Sequence, residues 1–143
     1  MEEASYPVIE DIRGHWHWIK PEIENILERS PQFTYMPEDV YAACKSGVAQ
    51  CFVHAGGFVI TQIDIDRFTG DKSLVLWLAG AKQRGNDYSG IFNDFFKRVA
   101  QFHGCVKVQT STAVPEVSEH LQGIGWKLNQ IIYTQTLTDT EES

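Results

Sequence analysis

Residues 74–104 constrain the fold of this chain more than any other stretch. They begin with an apolar run, Leu74-Val75-Leu76-Trp77-Leu78-Ala79, pass through a polar segment with Gly80, Gly85 and Gly90, and continue into residues 91–103. There Phe92, Phe95, Phe96, Val99 and Phe102 recur at helical spacing. The first run is apolar at nearly every position, as in a central strand buried on both faces. A strand joined to the next strand, read at 105–110, through a helix must run parallel to it in a right-handed crossover. The chain is therefore expected to be α/β with a mixed sheet. The same order puts unpaired backbone N–H groups at a loop-to-helix junction, where an anion can bind.

The flanks fill in the order. Residues 8–19 read as a strand, with Ile12, Trp16 and Trp18 on one face and Arg13, His15 and His17 on the other. Lys20-Pro21 starts a helix with Ile23, Ile26 and Leu27 as its apolar stripe, stopping at Ser30-Pro31. Pro37-Glu38-Asp39 starts a second helix that ends at Gly47. Strands follow at 49–54 and 58–65 around a glycine turn, then a turn at 66–72. After strand 105–110, Val114-Pro115 opens a helix with Val117 and Leu121 inward, and residues 126–137 read as a final strand. The expected order is β-α-α-β-β-β-α-β-α-β, with helices on both faces of the sheet. It forms a single domain over 1–143, with its core at 8–137 and an acidic tail at 138–143.

Charge and cysteine usage narrow the function classes. The formal net charge of −7 argues against nucleic acid or an anionic membrane surface as partner. No apolar run approaches the ~18 residues of a membrane span, and the N-terminus lacks the basic start and apolar run of a signal peptide. Cys44, Cys51 and Cys105 form no ligand spacing and read as buried, reduced thiols, which points to the cytoplasm. His15 and His17 are two ligands without a third, so no metal is expected. The four tryptophans read as packing residues rather than a base-stacking platform.

The element order, the strand–glycine loop–helix at 74–103 and the sequence Leu121-Gln122-Gly123-Ile124-Gly125-Trp126 resemble the GNAT superfamily of acetyl-CoA-dependent N-acetyltransferases over residues 8–137. The wording Trp16-His17-Trp18-Ile19-Lys20-Pro21 and Pro37-Glu38-Asp39-Val40-Tyr41 is similar to short GNAT-like proteins of tailed bacteriophages. The resemblance implies acetyl-CoA as a possible cofactor. Its pyrophosphate would lie on the loop before the helix, with Leu78, Ala79, Gly85, Ser89, Gly90 and Ile91 as the cofactor-binding candidates. The family's Gln/Arg-x-x-Gly-x-Gly/Ala pattern falls on residues 87–92, where only Gly90 matches. Asp87 brings a negative charge, Phe92 a ring, and a plain strand-to-helix connection with Asp87 or Ser89 as N-cap is the favoured reading of the segment. Aligning Gly125-Trp126 on the family's glycine-aromatic pair puts Leu121 where many members carry a tyrosine acid.

Candidate catalytic groups are accordingly few. Asp64, Asp66 and His54 stand at the ends of meander strands, where a base could take a proton from an amine; they read first as turn residues of a hairpin region. Tyr133 is the next tyrosine after Leu121. The departures favour a GNAT-like binding protein without catalysis, virion-associated or host-modulating. The alternative is an N-acetyltransferase working by direct amine attack on the thioester. An unpaired last strand would invite a protein partner or a second copy.

Overall fold

The computed structural model describes residues 7–81, 89–112 and 115–137, with side chains omitted for residues 81 and 89–92. It falls into two compact units, Met1–Ser111 and Thr112–Ser143. The first holds a five-stranded sheet in the order β1-β2-β3-β4-β5. The strands are β1 (Val8–Ile9), β2 (Ala49–His54), β3 (Gly57–Ile65), β4 (Lys72–Ala81) and β5 (Cys105–Gln109). Helices α1 (Trp16–Glu28), α2 (Pro37–Ser46) and α3 (Ser89–Phe102) belong to the same unit. The first four strands pair antiparallel, and β4 pairs with β5 in parallel, as the α3 crossover requires.

Two apolar layers sandwich the sheet. One packs Ile19 and Ile23 of α1 and Val40 of α2 against Phe58, Ile60 and Leu78. The other packs Phe96 and Ala100 of α3 against Phe52, Val59 and Leu74. Helix α2 matches its sequence signals: Pro37 stands at its first turn, Asp39 accepts from the Met36 N–H at 2.8 Å, and Gly47 closes it with φ +86°.

The expected strand over residues 8–19 is corrected. Only Val8–Ile9 is strand; Ile12–His15 forms a 3₁₀ turn, and Trp16 already begins α1, so Pro21 lies inside the helix rather than at its start. The Asp11 carboxylate causes the change by accepting from the Arg13 N–H at 2.9 Å, which caps a turn where the strand would continue. Consequently Arg13, His15 and His17 do not share a strand face. His15 Nδ1 accepts from the Trp18 indole at 3.1 Å, one helical turn away.

The second unit contains α4 (Pro115–Gly123), none of whose residues is buried. Val117, expected inward, is exposed. The expected final strand is also corrected: residues 126–136 carry no strand ladder, and Leu128, Ile131, Ile132 and Leu137 are exposed. Their β propensity is a preference for a pleated, half-buried surface, and it supplies no partner strand. Among the three cysteines only Cys51 is fully buried; Cys44 and Cys105 are half-buried. No helix among the described residues is long and apolar enough to cross a membrane.

Candidate active site

The central irregularity of the sheet is in β4. Along β3 and β4 the pairing runs Val59 with Ala79 and Ile60 with Leu78, then slips to Thr61 with Leu76. Trp77 is the extra residue, a β-bulge with no partner in β3. The slip reverses side-chain parity. Before it, Leu74 and Leu76 join the α3 layer; after it, Leu78 joins the α1/α2 layer, and Trp77 packs there too. This is the structural origin of the unbroken apolar run, which alternation alone does not explain.

On its other edge β4 leaves its neighbour at the same place. The parallel ladder with β5 ends at Val75 and Gln109, and the Thr110 hydroxyl then donates to the Leu76 carbonyl at 3.0 Å. Beyond that capped carbonyl, no described residue of β5 pairs with β4. A strand that bulges away from one neighbour and loses the other exposes main-chain donors and acceptors to a ligand, and bulges recur beside active sites.

Three side chains missing from the sequence-based candidates surround this stretch. Tyr35, between α1 and α2, meets Trp77 edge-on with ring centroids 5.2 Å apart, and Phe33 stacks on Tyr35 at 5.5 Å. The Tyr35 hydroxyl is buried and has no hydrogen-bond partner among the described residues. Burial raises its pKa, with the Trp77 side chain opposing, so the phenol stays protonated and available as a donor. Glu22 of α1 covers Gly80: a Cβ at residue 80 would stand 2.6 Å from Glu22 Cγ and 2.8 Å from Phe58 Cζ. The absence of a side chain at Gly80 lets helix and strand approach here. The signals for these residues were present but weak: a tryptophan inside an unalternating run, and a glycine at a strand end.

The sequence-based candidates are dispersed. Leu78 is buried in the α1/α2 layer, Ala79 is exposed, and Ser89, Gly90 and Ile91 form the first turn of α3. Gly85 and Asp87 lie outside the described residues. His54 stands at the end of the sheet where β4 exits, since it pairs with Gly57, which pairs with Ala81. Its Nδ1 accepts from the Gly56 N–H at 3.0 Å, and burial lowers its pKa. The proton of the neutral ring therefore sits on Nε2. Asp64 and Asp66 lie at the opposite end of β4: Asp64 pairs with Ser73, and Asp66 Oδ1 accepts from Phe68 N–H at 2.8 Å and Thr69 N–H at 3.1 Å. Those bonds hold the Asp66 carboxyl below its ordinary pKa and make it a turn cap. Tyr133 is exposed in the second unit. Among the described residues no three His, Cys, Asp or Glu side chains gather as metal ligands.

No protein-family model and no curated protein matches the sequence. Solved structures match its fold. A ribosomal-protein-alanine N-acetyltransferase from Brucella melitensis biovar Abortus 2308 aligns over 94% of this chain and 100% of its own, with TM-score 0.70 and 14% identity. The chain has the GNAT fold. An aminoglycoside acetyltransferase from an uncultured soil metagenomic sample, solved in complex with sisomicin, aligns over 94% of this chain and 97% of its own, with TM-score 0.67 and 7% identity. A transcriptional regulator from Bacillus halodurans C-125 aligns over 92% and 100%, with TM-score 0.68 and 13% identity. At these identities the likeness carries the GNAT fold, and function must be argued from the site.

Proposed function

We propose that this protein is an acyl-CoA-dependent N-acyltransferase whose acyl group is received at the Trp77 bulge. The observation that carries the reading is the coincidence, within β4, of the bulge toward β3 and the end of the β5 ladder. The main chain beyond Val75 suits an extended ligand lying alongside β4 as an added strand would. Acetyl-CoA, when bound, supplies an acyl group activated as a thioester. The phosphate end is left unassigned, because residues 82–88 lie outside the described structure.

The residues' own chemistry supports direct attack by an amine. A main-chain N–H of β4 on the edge that β5 leaves would stabilise charge on the acyl oxygen while the amine displaces CoA, which departs as a thiolate and takes up a proton from solvent. Glu22, over Gly80, is the carboxylate that takes the amine's proton, directly or through water. A covalent cysteine route is disfavoured: burial pushes the Cys51 thiol up to about 12 and the Cys44 thiol up to about 11, so neither is a nucleophilic thiolate at neutral pH.

Calorimetric and thermal titration with acetyl-CoA tests the reading. Micromolar affinity at millimolar ligand stabilises the fold by about 4 kcal/mol. Release of free CoA should then depend on an added amine. A flat titration refutes the proposal. A second reading, a GNAT-fold binding protein without catalysis in a virion-associated or host-modulating role, draws on Leu121, an aliphatic side chain near the end of α4 that donates no proton. Acetyl-CoA binding without CoA release across an amine panel would favour it.

A further inference from the structure

On the α3 face, at the β1 edge of the sheet, the strands extend past the helix. Ile9 of β1 stands directly opposite Phe52 of β2, so both point to the α3 side. Phe52 is covered by Phe95 and Phe96 of α3, with ring centroids 6.0 and 5.3 Å away, whereas Ile9 is 59% exposed. Between the overhanging strand and the helix runs a groove of about 530 Å³, lined by Ile9, Phe52, Phe95, Val99 and Phe102, with Arg98 and His103 on its wall. Phe102 is 85% exposed at its end.

Its charge is distinctive. In a chain of net charge −7, this groove carries the Arg98 guanidinium and, among its described lining residues, no carboxylate. Arg98 makes no ion pair with any described residue. Glu10, next to Ile9 in sequence, is turned to His15, at 3.6 Å.

We propose that this groove binds an anionic amphiphile, a carboxylate on a linear apolar chain such as a medium-chain fatty acid. The chain lies along Phe95, Val99 and Phe102, a span of about 10 Å on the helix axis. The carboxylate is held by the Arg98 guanidinium, whose planar fork matches it in geometry and charge. The volume is that of a small-molecule site. A second copy is a poor occupant, because a two-fold contact brings two copies of a groove that carries Arg98 and no described carboxylate together, with no negative group to pair either guanidinium.

The test uses decanoate below its micellar concentration, with acetate, decanol and decylammonium as comparisons, read by calorimetry and amide NMR shifts. Decanoate should bind saturably and shift amides of β1 and α3. Acetate should not bind, and decylammonium should bind at least tenfold more weakly. Arg98→Gln should weaken decanoate at least fivefold and bring it level with decanol. Phe102→Ser, at an exposed position, should weaken decanoate and decanol alike. Equal binding of decanoate and decylammonium, an unaffected Arg98→Gln, or shifts confined to other elements would overturn the proposal. So would sedimentation showing a dimer that Phe102→Ser dissociates, since that names a second copy as the occupant.

Discussion

Replacing Gly80 with alanine probes the close approach that shapes the candidate site. The added Cβ would stand 2.6 Å from Glu22 Cγ and 2.8 Å from Phe58 Cζ. Carbon atoms in contact ordinarily sit about 3.5–4.0 Å apart, so both neighbours are about 1 Å too near. Glu22 can swing aside at little cost. Phe58 cannot, because it is fully buried and meets Trp18 edge-on at 5.9 Å. Overpacking of this kind costs about 1–3 kcal/mol, and the lower entropy of an unfolded alanine returns about 0.4–1 kcal/mol. The expected net loss is about 1.5 kcal/mol, or about 5 °C in Tm for a chain of 143 residues. Urea unfolding followed by tryptophan fluorescence measures it, since Trp18 and Trp77 report on this layer. Phe58→Leu in the Gly80→Ala background should cost less than in wild type, because the smaller side chain relieves the clash. A Gly80→Ala variant within about 0.5 kcal/mol of wild type, or strict additivity with Phe58→Leu, would show that helix and strand do not meet as described.

Three further outcomes follow from the same geometry. Tyr35→Phe removes a buried hydroxyl that makes no well-formed hydrogen bond, the Trp77 side chain being near but poorly aligned, so Tm should rise by a few degrees, about 1 kcal/mol; a fall of that size would mean the Trp77 contact is a true hydrogen bond. Bonds from Arg13, and then Lys45, lower the Asp11 carboxyl from its ordinary 3.8 to about 2. A carboxyl depressed on folding contributes stability that is present above its unfolded pKa and lost as pH falls through the folded one. Asp11→Asn should therefore flatten the acid limb of the stability curve between about pH 4 and 2, and an unchanged limb would count against the pairing. Iodoacetamide at pH 8 should spare Cys51 in the folded protein and modify it in urea, as mapped by mass spectrometry; rapid native labelling would contradict its burial.

Legibility followed the range of the interactions involved. The limits of α2 were readable because Pro37, Asp39 and Gly47 act on their own backbone. The hairpin of β2 and β3 and the parallel return through α3 were readable because turn chemistry and crossover handedness are local or nearly so. Residues 8–19 were misread although Ile12, Trp16, Ile19 and Ile23 already recur at helical spacing. The Asp11 cap, worth little by itself, decided between the two periods. Residues 126–137 were misread because a strand needs a neighbour that its own composition cannot provide.

The sequence by itself therefore determined the mixed α/β class, the order of its central elements and the apolar weight of residues 74–79. Only the tertiary structure decided that Trp77 is a bulge, that β5 leaves β4 at Leu76, and that Tyr35 and Glu22 converge on the same stretch. Each depends on a register between strands or a meeting of elements distant in sequence. A one-residue slip in pairing reverses which side chains share a face, yet it leaves no mark on the composition of either strand.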